Sequence, residues 1–436
     1  MLAKMGQLLL FLISWSCFWL QSARGHDDTT GGPIPIIDIA PLFWKSFPQF
    51  FHHDTIMSIK HACENVGFFY ISGMPYDTPN MQALEAEADY FFSRPAEEKR
   101  RIHMKLAGRA WRGYFAVGDE LTSGIPDQKE GIYFGTEDPE EDSGKPLHGR
   151  NLYPAREYLE SSTGANATHF LFQRSVTLHM KSMRQIGTAL MQAIALSLDL
   201  PHDTFDKHFA RPTELLRVFS YPPHNPSSSP TALGVGEHTD YGFITILHQD
   251  PSGGLQVRDA ITNRWIDAAP VTGSFVVNLG DALEHFTGGL YRATPHRVNR
   301  ADTATHNPNH NPNHNHNHNH NPNHNHKHNE QKPRVSIPYF FDPSFDSPMT
   351  SIAATLPKES LHLIAQRRDR ERRDGQAAYS RWDNADPTLF AGTYGDYLKR
   401  KISKVFPELF AAAVDEVHSL QQGHRPRPVG DQREEL

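Results

Sequence analysis

The sequence predicts a mainly β core of sandwich or jelly-roll type within an α+β chain, flanked by helices on its amino- and carboxyl-terminal sides. Three observations lead there. From about residue 214 the chain breaks into seven short apolar segments at near-regular spacing, separated by turn residues. Ahead of them, apolar residues recur at helical spacing. Beyond them, the carboxyl-terminal third returns to helical patterning.

Taken in order, the first 25 residues read as a secretory signal peptide. Lys4 precedes the apolar run LLLFLISWSCFWL (8–20), and the small, polar stretch QSARG (21–25) follows. The run is too short and wrongly flanked for a stable membrane span. The last four residues, Arg433-Glu434-Glu435-Leu436, resemble an endoplasmic reticulum retrieval signal, and Asn166-Ala167-Thr168 is a glycosylation acceptor. Together these place the protein in the secretory pathway, in the lumen of the endoplasmic reticulum. IPIIDIA (34–40), with a proline near its start, suits an edge strand. DTIMSIKHACENVG (54–67) sets Ile56, Ile59, Cys63 and Val66 on one helical face, with Asp54 placed to cap it and Gly67 to end it. FFYISG (68–73) reads as a strand. Phe172, Val176, Met183, Leu190 and Ile194 mark a long helix ending near Leu200-Pro201.

The seven strand segments are LLRVFSY (215–221), FITILHQ (243–249), LQVRD (255–259), RWIDAA (264–269), SFVVNLG (274–280), HRVNR (296–300) and RVSIPYFF (334–341). Between the last two lies HNPNHNPNHNHNHNHNPNHNHKHN (306–329), a low-complexity Asn/His/Pro repeat with nothing apolar to bury, holding nine of the 27 histidines. Repeat expansion in a tolerant surface loop accounts for it; weak zinc, nickel or copper binding is the alternative. RRDRERRD (367–374) reads as a solvated helix face. The formal net charge of -7 argues against nucleic acid or an anionic membrane as a partner held by bulk electrostatics. Two cysteines, Cys17 and Cys63, provide no disulfide framework.

The chemistry concentrates in the strand region. His238-Thr239-Asp240 offers two metal ligands on one side of an extended segment, and His296 opens a later strand. Two imidazoles and one carboxylate on one face of an octahedral iron(II) leave three positions for co-substrate and oxygen. Arg334 and Ser336 share one side of the strand RVSIP, where a guanidinium and a hydroxyl can grip a carboxylate such as that of 2-oxoglutarate. Tyr221 can add a phenolic hydrogen bond.

Long, ordered motifs over about residues 33–410 resemble the isopenicillin N synthase-like family of Fe(II)/2-oxoglutarate-dependent dioxygenases. They include ACENVGFFYISG (62–73), RGYFAVGDELTSGIPDQKEGIYFG (112–135), GEHTDYGFITILHQD (236–250), NLGDALEHFTGG (278–289), TPHRV (294–298), RVSIPYFFDP (334–343) and TYGDYLKRKISKVFPEL (393–409). The resemblance implies a double-stranded β-helix with the metal at its open end. It also implies an amino-terminal dioxygenase region (33–150), a linking helical region (151–210), the jelly-roll core (211–345), carboxyl-terminal helices (346–410) and a tail (411–436). Iron falls to His238, Asp240 and His296, and 2-oxoglutarate to Arg334, Ser336 and Tyr221, with ascorbate as a stimulant. Tyr114, Glu130, Tyr133, Phe286 and Phe340 are candidate substrate residues by their place in the motifs. Three departures stand out. Phe219 occupies a position that is Asn in many plant members, Phe286 one that is often Trp, and the repeat stretches the interval from His296 to Arg334. The implied reaction hydroxylates or desaturates a small organic molecule with molecular oxygen, releasing succinate and carbon dioxide. Two other readings stay open on sequence: a 2-oxoglutarate-independent oxidase on the same scaffold, and a non-catalytic metal-binding protein working through its histidine repeat.

Overall fold

The computed structural model describes residues 34–43, 49–122, 124–137, 145–154, 171–223, 233–299, 332–374 and 386–407. The signal-like segment (1–25), Asn166, the Asn/His repeat (306–329) and the tail (411–436) lie outside the described residues. Among the described residues no helix is long and apolar enough to cross a membrane.

Fourteen strands are described: β1 (Ile36–Asp38), β2 (Phe68–Ser72), β3 (Gly113–Phe115), β4 (Leu121–Thr122), β5 (Ile125–Pro126), β6 (Glu130–Gly135), β7 (Pro212–Tyr221), β8 (Val235–His238), β9 (Ile244–Gln249), β10 (Leu255–Arg258), β11 (Trp265–Asp267), β12 (Phe275–Leu279), β13 (His296–Val298) and β14 (Arg334–Ser344). Seven α-helices accompany them: α1 (Gln49–Asn65), α2 (Thr78–Phe92), α3 (Ala96–Arg100), α4 (Leu171–Ser197), α5 (Asp281–Phe286), α6 (Lys358–Asp374) and α7 (Tyr394–Val405).

The strands form an eight-stranded sheet in the order β1-β2-β12-β9-β14-β7-β6-β3 and a four-stranded sheet in the order β11-β10-β13-β8, with β4 and β5 as a separate hairpin. This is the jelly roll expected. Phe68, Leu247 and Val276 from the larger sheet pack with Leu255 and Val257 from the smaller in one apolar cluster, so inward residues of both sheets share a core. The odd residues of β14 turn the other way, and α2 and α4 cover that outer face. Phe341, for example, lies against Gly187 of α4 at a spacing that leaves no room for a Cβ.

The seven strand segments expected from sequence all appear, and β1, just after Pro35, is an edge strand, paired in parallel with β2 alone. Cys63 is buried on the inner face of α1, where burial pushes its thiol well above the usual range. The helix ends as expected at Gly67, whose φ of +72° and close approach to Arg292 O and Thr294 Oγ1 suit glycine alone.

Other expectations need correction. Asp54 does not cap α1, which begins at Gln49; its carbonyl accepts a hydrogen bond from Ser58 inside the helix. The run 367–374 is not a purely solvated face. Arg367 donates to the carbonyls of Leu290 and Glu64, and Arg368 to that of Gly288, tying α6 to the body of the protein. The amino-terminal region contributes β1, β2, β3 and β6 to the larger sheet, a pairing that no strand pattern in the sequence indicated. Finally, β13 and β14 belong to different sheets, so the repeat-bearing connection between them passes from one sheet to the other rather than closing a simple turn.

Candidate active site

The metal ligands meet where the smaller sheet ends. His238 is the last residue of β8, and His296, the first of β13, stands directly opposite it in the antiparallel register. Asp240 lies just past the strand end rather than within it. Its position is set by backbone hydrogen bonds from Asp281 N to Asp240 O (2.8 Å), Ala282 N to Gly242 O (2.9 Å) and Gly280 N to Phe243 O (3.0 Å). These pin the turn after β8 against the start of α5, and Gly242 and Gly280 pass too closely to admit a Cβ on Gly280.

Each ligand is oriented by a second bond. His238 Nδ1 donates to Gly236 O (2.8 Å) and His296 Nδ1 to Thr294 O (3.1 Å), since a carbonyl can only accept. This leaves both Nε2 atoms as the ligand positions, each 3.8 Å from Asp240 Oδ1. Asp240 Oδ2 is occupied by Thr245 Oγ1 (2.5 Å) and Asn278 Nδ2 (2.7 Å), which stand opposite one another on β9 and β12. Burial, then the neighbouring His296, push His238 down to about 4, so it is a neutral imidazole near pH 7. Burial opposes ionisation of Asp240, but the two histidines, Thr245 and Asn278 outweigh it and hold the carboxyl below its usual range. The three ligand atoms lie within 4.8 Å of one another. Two imidazole nitrogens and one carboxylate oxygen, with their outer partners in place, suit ferrous iron.

The residues expected to hold the co-substrate converge on the same cavity. Arg334 and Tyr221 are paired residues of β14 and β7, and the guanidinium sits over the Tyr221 ring at 4.7 Å from its centroid. Arg334 Nε donates to Gly253 O (2.5 Å), while its buried Nη1 has no partner. Ser336 Oγ is 3.5 Å from Tyr221 Oη. A buried guanidinium nitrogen with nothing to donate to, flanked by two hydroxyls, fits one carboxylate of 2-oxoglutarate.

Of the candidate substrate residues, Phe340 lines the cavity. Tyr133 faces it at one remove, donating to Glu120 Oε1 (2.8 Å). Tyr114 and Glu130 do not line it. They bond to each other (2.7 Å), and Glu130 pairs with Lys99 of α3 (2.6 Å), on the side of the sheet away from the metal. Phe286 is fully buried among Phe205, Phe243 and His208, a core position despite its place in the motif. Phe219, at the position that is Asn in many plant members, faces the cavity.

Several cavity residues escaped sequence reasoning. Glu120, Lys129 and Arg217 put charge into the cavity lining, and Tyr394 and Leu398 bring α7 to it. Lys129 Nζ lies 2.9 Å from Glu120 Oε2 and also contacts Asp127. Burial opposes charge on Lys129, but the two acids outweigh it and keep the ammonium ionised. For Arg217 a sequence signal existed, because it shares the parity of Tyr221 and Phe219 in LLRVFSY. For Glu120 and Lys129 none did, since both stand beside short strands in a turn-rich stretch.

Known proteins share both the sequence motifs and this architecture. Residues 34–156 match the family described as non-haem dioxygenase in morphine synthesis N-terminal, and residues 212–343 match the 2OG-Fe(II) oxygenase superfamily. A probable iron/ascorbate oxidoreductase of Dictyostelium discoideum is 37% identical over 396 residues, covering 86% of this chain and 95% of the relative. A homoarginine-6-hydroxylase of Oryza sativa is 30% identical over 381 residues, covering 85% and 96%. Among solved structures, a full-length Neurospora crassa protein in complex with alpha-KG and 5-formyluracil shares the fold, with a TM-score of 0.62, 24% identity and coverage of 87% of this chain and 98% of that one. The chain belongs to the 2OG-Fe(II) oxygenase superfamily, and it is an iron(II)- and 2-oxoglutarate-dependent dioxygenase of small molecules.

Proposed function

We propose that the protein oxidises a C–H position of a small polar metabolite of amino-acid type, and that it does so in the secretory pathway. The observation that carries the co-substrate role is the buried, unpartnered Arg334 Nη1 facing the cavity of the metal ligands. The polar substrate is supported by the charged wall formed by Glu120, Lys129 and Arg217. It is supported further by the rice relative, a homoarginine-6-hydroxylase by name.

Bound iron and 2-oxoglutarate supply the chemistry by coupling decarboxylation to succinate with activation of oxygen for C–H oxidation. The chain's own residues set the conditions. Thr245 and Asn278 hold one Asp240 oxygen and aim the other at the two histidines. Arg334, Ser336 and Tyr221 grip the far carboxylate of the co-substrate and so fix its orientation. Phe68, Leu247, Leu255 and Val298 form an apolar wall that keeps water out.

The test is a screen of small amino acids, L-homoarginine among them, for stimulated succinate release in the presence of iron(II), ascorbate and oxygen. A stimulating metabolite with a matching oxidised product is the expected result. Failure to turn over 2-oxoglutarate, with or without metabolites, would count for the co-substrate-independent oxidase instead. The cellular placement rests on the apolar run at 8–20, the acceptor at Asn166 and the terminal Arg433 to Leu436. It predicts a glycan on Asn166 and secretion of a chain lacking the last four residues; unglycosylated protein in the cytosol is the opposing result.

A further inference from the structure

The cavity holds a second arginine that the co-substrate does not account for. Arg217 stands on β7 four residues before Tyr221, and strand alternation puts both side chains on the inner face. At about 3.3 Å per residue their backbones are roughly 13 Å apart. Arg217 is therefore well separated along the sheet from the Arg334–Tyr221 stack.

The surroundings of this partly buried guanidinium are short of acceptors. Its Cζ lies over two aromatic rings, 4.3 Å from the Tyr133 centroid and 4.6 Å from that of Phe340. Nε is buried and has no hydrogen-bond partner. The nearest carboxylate oxygen, Glu120 Oε1, is 4.0 Å from Nη1, beyond hydrogen-bonding distance. Glu120 is also engaged elsewhere, by Tyr133 Oη on one oxygen and Lys129 Nζ on the other. A guanidinium nitrogen buried without an acceptor is costly unless a ligand completes the group. With two rings against the guanidinium, its N–H groups are the donors left for a ligand in the cavity.

Building on the oxygenase reading above, the geometry points to Arg217 as the residue that binds a carboxylate of the substrate, through the N–H edge of its guanidinium. A planar two-oxygen anion satisfies that edge with two parallel bonds, whereas a neutral carbonyl satisfies only one donor. Stacking between Tyr133 and Phe340 holds the edge ready, so little side-chain entropy is lost on binding. The substrate class is thus a small carboxylic acid, with its carboxylate on Arg217 and the carbon to be oxidised nearer the metal ligands. The cavity then treats two carboxylates separately, that of the co-substrate at Arg334 and that of the substrate at Arg217.

The test compares L-amino acids and other small carboxylic acids, L-homoarginine included, with their primary amides. Binding is read by calorimetry on the anaerobic protein loaded with iron(II) and 2-oxoglutarate, and turnover by succinate release. Wild-type protein should bind at least one acid tightly and its amide weakly. Arg217→Met should weaken the acid roughly thirtyfold or more and erase the preference over the amide, leaving the KM for the co-substrate unchanged. Arg217→Lys, which keeps the charge but not the fork, should recover part of the loss. Acids that bind no better than their amides to wild-type protein overturn the assignment without recourse to any variant. So does an Arg217→Met protein that keeps the preference, or one whose defect is in the KM for the co-substrate. Turnover of 2-oxoglutarate without metabolite, measured in the same samples, tests the oxygenase reading separately, because its absence leaves the binding comparison intact.

Discussion

The two arginines of the cavity are held in opposite ways. Arg334 is anchored through a backbone carbonyl, by Nε to Gly253 O, and keeps one side of its guanidinium open to ligand. Arg217 has no such anchor and is kept in place by the faces of two rings. The first arrangement sets a nitrogen at a position defined by the sheet itself, as suits a co-substrate that never changes. The second depends on Tyr133 and Phe340 being present and correctly packed, so it shifts with any residue that rearranges them. Co-substrate recognition is thus built into the strand pairing, while substrate recognition is laid over it.

Substitutions at the two ends should separate these roles. The largest effect is expected at the centre they share: His238→Ala or His296→Ala should abolish iron retention and succinate release, as read by metal analysis and turnover. Measurable tight iron binding in either variant would break the assignment. Next, Arg334→Met should raise the KM for the co-substrate by roughly a hundredfold, the size expected on removing one partner of a buried charge pair. In the double variant with Arg217→Met the two losses should add, because residues this far apart with no shared partner act independently. A strongly non-additive result would show that both arginines serve one ligand.

Behind the metal, Asn278→Ala or Thr245→Val should lower iron affinity about 10- to 100-fold by freeing Asp240 to rotate. A smaller effect concerns acid–base balance at the substrate end. Asp342 is pushed up to about 7 by burial, against the hydrogen bonds it accepts from Tyr394 Oη and Phe243 N. Its folded-state value lies above the unfolded one, so the native protein holds the extra proton between about pH 4 and 7. Stability from this group is present below that window and is lost as pH rises through it. The Tm difference between wild type and Asp342→Asn, measured on metal-free protein, should therefore move in the variant's favour from pH 4 to 7; a flat difference would contradict the shift. Smallest of all, deletion of 306–329 should leave kcat and both KM values unchanged, whereas a metal buffer would lose most of its capacity.

Much of the metal and co-substrate end was legible beforehand for a physical reason. Its residues occupy short strands where period-two alternation states which side chains share a face, as with Arg334 and Ser336 or Tyr221 and Phe219. The substrate end was not. Tyr114, Glu130 and Phe286 sit in recognisable motifs yet face the packing side of their elements, because a motif states proximity along the chain and not which face is buried. Glu120 and Lys129 flank strands of two and six residues, where no periodicity is long enough to assign a face.

The amino-acid order alone marks nine of the fourteen strands, the edge position of β1, the helix stop at Gly67 and the candidate ligands His238 and Asp240. Each follows from local steric or alternation rules that operate within a few residues, supported by the family resemblance. Three-dimensional packing was needed to show that amino-terminal strands complete the larger sheet, that the repeat-bearing connection passes between sheets and that Arg217 is stacked in the cavity wall without an acceptor on Nε. These depend on contacts between residues far apart in the chain, such as Tyr133 and Phe340 around Arg217. Such contacts form when sheets pack, and no short-range pattern records them.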